Sequence, residues 1–213
     1  MQGELERIII NHCSPVILGV KPAALFTLPS ESCLAPLAGV LPAAVSLMAL
    51  RKNGGQVLVF DQRLLEKTIS DERVRALLEG MGYPRRRRGF EGAAPGGRRK
   101  RGEDSPVFVY LDYFKSRFQS LCPFPHEIGL FLGYPVDDVL GFVKYRGRRY
   151  KLRGFWKVYG DVEQAKNDFC RYELCREAVR ARLQKGGLGA LKDTARRHYD
   201  GVKSSAAPAR FSG

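Results

Sequence analysis

Between residues 84 and 105 the chain carries Arg85 to Arg88 and then Arg98, Arg99, Lys100 and Arg101, set among glycines and prolines with almost no apolar side chains. A stretch of this composition cannot bury enough surface to offset the entropy of ordering, so it is expected to be a disordered insertion and the core must come from the segments on either side. Its eight basic residues against Glu91, Glu103 and Asp104 supply +5 of the chain's formal +14. Residues 85–101 are therefore expected to attract polyanions non-specifically and in a salt-dependent way, whatever else the protein does.

The remaining sequence has the means to fold. With 213 residues and 44% hydrophobic content it can bury one substantial core. A single globular domain over residues 1–200 is expected, interrupted at 84–105, with a small-residue tail at 201–213 that is expected to be disordered. The N-terminal Met1-Gln-Gly-Glu-Leu-Glu-Arg has neither the basic start nor the apolar stretch of a signal peptide. Five cysteines, an odd number, then read as reduced thiols, and a cytoplasmic location is expected. Residues 33–50 carry no charge, yet Pro36, Pro42 and Gly39 spoil a membrane span, and a core helix from Ala43 to about Lys52 with Pro42 at its start is the expectation.

The fold class expected is α+β (or α/β): a single small mixed sheet packed by helices, then a C-terminal antiparallel hairpin followed by a long helix. Residues 56–60 and the Val-Phe-Val-Tyr-Leu run within 106–113 read as buried strands. Between the first of these and the insertion, Leu64, Leu65, Ile69, Val74, Leu77 and Leu78 keep helical spacing, with a break near Ser70-Asp71. Residues 139–145 and 150–159 read as two strands joined by Arg146-Gly-Arg-Arg149. Asp161 is a good N-cap for a helix reaching about Leu183, whose packed face is Val162, Ala165, Phe169, Tyr172, Val179 and Leu183.

Two groups of residues invite a functional reading. The first lies in Cys122-Pro-Phe-Pro-His-Glu-Ile-Gly-Leu-Phe-Leu-Gly-Tyr-Pro135, where Pro125 can open a helix of about two turns that Gly133 closes. A thiolate at Cys122 would be favoured by the helix start, while Glu127 can orient His126 or accept a proton. Cys13 and His12 can join such a site, with Cys33 an outsider. These groups admit a thiolate–imidazole couple or one axial ligand to haem iron, without naming a cofactor. Cys170 and Cys175 do not extend the set, because five residues of helix leave them roughly 140° apart.

The second group is the basic aromatic hairpin: Arg149, Lys151, Arg153, Trp156 and Lys157 suit single-stranded nucleic acid, a nucleotide phosphate or an acidic protein partner. A solvated hairpin edge protected by Lys and Arg has the same appearance. Phosphate-loop, dinucleotide, zincin and nucleophile-elbow motifs are absent from the sequence.

Three runs, "HCSPVILGVKPAALF", "CPFPHEIGLFLGYPVDDVLGF" and "GFWKVYGD", together resemble a bacterial family known as a domain of unknown function. The resemblance extends from about His12 to about Cys175, and the family's pattern falls on His12, Cys13, Lys21, Pro22, Cys122, His126, Glu127, Gly133, Tyr134, Pro135, Trp156, Lys157 and Tyr159. It implies no activity, fold or cofactor, so the roles above rest on the residues alone.

Overall fold

A computed structural model describes residues 2–42, 45–49, 55–85, 106–120 and 124–191. Most of residues 84–105, the tail at 201–213 and Cys122 lie outside that set. Three strands form the middle of the fold: β1 (Ala23–Thr27), β2 (Val45–Ala49) and β3 (Gln56–Asp61), in the order β1-β3-β2 with both pairings antiparallel. Central β3 is buried from Val57 to Asp61.

Alternation along these strands divides the core in two. Leu58 and Phe60 of β3 share one face with Ala23 and Leu25 of β1 and Met48 of β2. That face packs on α4 (Gln62–Ser70), α5 (Glu72–Gly80), α6 (Pro106–Gln119) and α7 (Ile128–Phe131). Val57 and Val59 turn the other way, with Ala24, Phe26, Val45 and Leu47, onto α1 (Gln2–Ile8), α2 (Ser14–Ile17), α3 (Leu34–Val40) and the far half of α9 (Val162–Gly186). The result is an α+β architecture with a thin antiparallel sheet between two helical layers.

Local capping explains where the helices start. Asp61 ends β3 and caps α4, its carboxylate accepting from the amides of Arg63 and Leu64 at 3.0 and 3.1 Å. Asp71 does the same for α5, accepting from Arg73 and Val74, which places the helix break where the sequence predicts it. Asp161 caps α9 through the amide of Gln164. The buried residues of α9 are Ala165, Phe169, Tyr172, Cys175, Val179 and Leu183, close to the predicted stripe.

Three segments differ from expectation. Residues 106–113 belong to helix α6, not a strand: Val107, Tyr110, Leu111, Phe114 and Phe118 follow helical spacing and are all buried, so a face that packs overrides the strand preference of Val, Phe and Tyr. Within the expected helix at 43–52, Val45–Ala49 is strand β2 instead, because it completes the second row of hydrogen bonds on β3; residues 43, 44 and 50–52 lie outside the described set. Residues 139–145 sit in helix α8 (Val136–Tyr145), entered from Pro135 with Asp137 and Asp138 in the first turn, where the helix dipole favours acids. The C-terminal hairpin is consequently shorter, with β4 (Leu152–Arg153) against β5 (Lys157–Val158), and α9 follows it as expected.

The hairpin docks on α9 through a third core of Leu152, Trp156, Val158, Ala165, Phe169 and Tyr172. Gly154 at its bend is obligatory for that approach, since a Cβ there would overlap the Phe169 ring. Gly133, at φ +76°, closes α7 and lies so near Pro22 that a side chain would reach within 2.7 Å of it. Replacing Gly154 with Ala should cost about 1–3 kcal/mol of stability in urea unfolding. Combined with Phe169→Leu, which opens space, it should cost clearly less than the two single losses together. Simple additivity would contradict the overlap.

Candidate functional site

Between α7, α8 and the hairpin lies a pocket of about 350 Å³, near the lower end of small-molecule sites. Tyr134 and Trp156 form one wall, their rings stacked with centroids 4.8 Å apart, and Phe169 meets Trp156 nearly perpendicular at 4.5 Å. His126 and Phe142 meet at 5.1 Å, and exposed Phe124 stands beside His126 at 5.6 Å; all three line the same cavity. Arg153, Gly154, Phe155 and Lys157 bring the hairpin bend into its lining.

Asp138 holds this arrangement together. It is 2% exposed, and no cation among the described residues pairs with its carboxylate. One oxygen accepts the Trp156 indole Nε1–H at 2.7 Å, and the other accepts the backbone amides of Tyr159 and Gly160 at 2.6 and 2.7 Å. Three donors aimed at one buried carboxylate compensate its desolvation, and each bond to a charged acceptor is stronger than a neutral one. Helix α8 thereby fixes both the orientation of the indole and the path of the chain leaving β5. Nothing in the sequence singles out Asp138 from Asp137 beside it; the helix phase does, since Asp137 faces outward to an exposed ion pair with Arg73 at 2.6 Å.

The five hairpin candidates separate. Arg153, Trp156 and Lys157 line the pocket. Lys157 donates to the Gly147 carbonyl at 2.8 Å, at the end of α8, and its ammonium lies 5.8 Å from the Phe142 ring centre and 5.1 Å from that of Tyr150. Arg153 is exposed at the rim, and no carboxylate among the described residues pairs with it. Lys151 instead reaches the Gly160 carbonyl at 2.8 Å, and Arg149 occupies a left-handed turn at φ +57°. Neither lines the pocket.

Of the thiol–histidine group Cys122 lies outside the described residues, and the described members stand apart. His126 is in the pocket, at a turn before α7 rather than inside a two-turn helix. Glu127 is 5% exposed and points elsewhere, accepting from Arg117 Nε at 2.8 Å and from the Tyr83 hydroxyl at 3.2 Å. Burial, followed by the charge and hydrogen bond of Glu127, raises the Tyr83 hydroxyl well above its ordinary pKa. Cys13 is fully buried across the sheet in the α1–α9 core, and burial pushes its thiol upward, away from the thiolate. His12 stacks on Phe26 at 4.8 Å. Burial lowers the His12 pKa first, with the positive charges of Arg176 and Lys21 adding to it. Among the described residues no group of three or more His, Cys, Asp or Glu is placed to hold a metal ion, and no helix is long and apolar enough to cross a membrane.

An α+β fold with an aromatic pocket at the seam of α8 and the C-terminal hairpin is the class these observations define. A family model described as "Protein of unknown function (DUF3793)" matches residues 9–190, and the chain belongs to that family. No curated protein and no solved structure matches the chain.

Asp138→Asn tests the hold on the pocket. An amide can still accept two bonds but must turn its own N–H₂ toward a third donor, so a loss of about 2–4 kcal/mol is expected in urea unfolding, with a shift in the emission of Trp156, the chain's one tryptophan. A variant as stable as wild type would show that the three bonds are dispensable.

Proposed function

We propose that this protein is a binding module for a planar anionic ligand of the nucleotide class, received in the Tyr134/Trp156/Phe142 pocket with its charge toward Arg153. The observation that carries the reading is the rim arginine: Arg153 borders an aromatic cavity and has no acidic partner among the described residues. A guanidinium in that position offers a fork of donors to a phosphate, while exposed Phe124 and half-buried Phe142, which line the same cavity, offer ring surface to a heterocycle, a contact of about 1–3 kcal/mol per base. Lys157 adds positive potential although its ammonium already serves Gly147. The Asp138 carboxylate also borders the cavity, but its oxygens are occupied by three donors, which reduces its repulsion of an incoming anion.

Binding rather than thiol or haem chemistry is the better-supported reading. Glu127 is engaged by Arg117 and Tyr83, and Cys13 is buried in the core on the other face of the sheet, so among the described residues these groups do not gather around His126.

Trp156 reports on the pocket directly. Titrating adenosine monophosphate into the full chain should quench its fluorescence with saturation, and Arg153→Ser should weaken the apparent affinity at least about tenfold, which is 1.4 kcal/mol. Replacing the eight basic residues at 85–88 and 98–101 with Ser should leave the quench intact, because those charges attract polyanions without a pocket. Quenching that vanishes with those eight residues, or that ignores Arg153, would sink the proposal.

A further inference from the structure

Beside Tyr134, among residues that do not line the pocket, a second group of charges lacks what would balance it. Lys21 lies between α2 and β1, 8% exposed, in a segment held by Lys21 N–H donating to the Pro15 carbonyl at 3.0 Å. Its ammonium stands 5.0 Å from the Tyr134 ring centre and 5.7 Å from that of Tyr172, and no carboxylate among the described residues pairs with it. Two aromatic faces offset only part of the cost of removing an ammonium from water.

Arg176 of α9 is the neighbouring cation. It packs over Phe155 at 4.5 Å and donates to Glu173 at 2.9 Å and to the Asn11 carbonyl at 2.9 Å, yet its Nε is buried with no hydrogen-bond partner among the described residues. Burial, and after it the charge of Arg176, pull Lys21 down to about 8, while both cations help to depress His12. Three basic groups thus converge from α9, the α2–β1 link and the π-helical turn at Ile9–Cys13, and among the described residues the carboxylate that pairs with them is that of Glu173. Natural proteins seldom leave a buried charged donor orphaned, so each such group calls for an explanation.

We propose that Lys21 and Arg176, with His12 beside them, form a binding site for a small oxyanion, a phosphate or carboxylate group, behind Tyr134. An anion there would accept from the Lys21 ammonium and from Arg176 Nε, supplying the missing partner to both. Tyr134 would then touch both sites, lining the pocket and lying 5.0 Å from the Lys21 ammonium. The oxyanion site does not depend on the nucleotide reading, because none of its three basic residues lines the pocket.

Thermal melting of the full chain tests this, in a background where the eight basic residues at 85–88 and 98–101 are Ser so that they contribute no binding. Inorganic phosphate at constant ionic strength should raise Tm by roughly 3 °C or more over chloride, acetate standing as the carboxylate probe. Lys21→Met should melt above the parent in chloride, since it deletes an unbalanced buried charge, and should show no increment with phosphate or acetate. Parent and Lys21→Met both carry Arg153→Ser as well, which removes the phosphate contact proposed for the pocket, so the increment read is this site's own. Broadening of the ³¹P resonance of inorganic phosphate by the Lys21-containing protein gives a readout that needs no Lys21 variant. Equal increments with and without Lys21, or neither an increment nor broadening with Lys21 present, would overturn the site.

Discussion

The buried carboxylate of Asp138 is the interaction on which the C-terminal half depends. Leu140 and Val143 of helix α8 face outward, while Tyr145 stacks on Tyr159 at 5.9 Å and Lys157 donates to Gly147. The buried link between helix and hairpin is one side chain that receives an indole and two backbone amides from the strand and turn opposite. Because the bonds are short and the carboxylate is almost wholly desolvated, small displacements of α8 would strand either the acid or its donors, and both outcomes are costly. A site assembled this way is preorganised: the Trp156 ring stands in place before any ligand arrives.

From Trp156 the constraint spreads through rings. Phe169 of α9 meets the indole nearly perpendicular, Tyr134 stacks on it, and Lys21 lies against Tyr134. The chain of contacts runs from the long helix through the pocket wall to the edge of the sheet, where Pro22 leads into β1 and accepts from the Asp61 amide at 2.9 Å. Asp61 in turn caps α4. Pocket, hairpin and sheet are therefore mechanically continuous, and the close approaches at Gly133 and Gly154 leave little slack between them.

Much of this was legible before the structure. The strand at 56–60 is bounded by turn residues and apolar throughout, and the paired Asp caps at 71 and 161 announce α5 and α9 because capping is a local matter of one side chain and the next few amides. Three other segments were misleading. Val-Phe-Val-Tyr-Leu carries strand propensity, and its helical spacing emerges only when Phe114 and Phe118 are counted with it; residues 45–49 are uncharged and apolar, so they fit either period; Val139 to Tyr145 alternates well enough to mimic a strand until Pro135 and the two aspartates are read as a helix start. At the site, His126, Arg153, Trp156 and Lys157 were visible as candidates, but in two separate lists, since sequence distance hides that α7 and the hairpin face one cavity. Asp138 escaped notice entirely. Its role comes from the phase of α8, and an aspartate next to another aspartate looks like surface.

The central claim is that the aromatic wall held by Asp138 receives a heterocycle in a single orientation, with its phosphate at Arg153. Intermolecular nuclear Overhauser effects between adenosine monophosphate and the protein read that geometry directly. The account predicts contacts from the base protons to the rings of Trp156 and Phe142, together with a shift of the Arg153 side-chain resonances and none of comparable size at Arg149 or Lys151. Base protons that show no contact with either ring, with shifts spread over the exposed arginines alone, would contradict it and reduce the interaction to charge attraction.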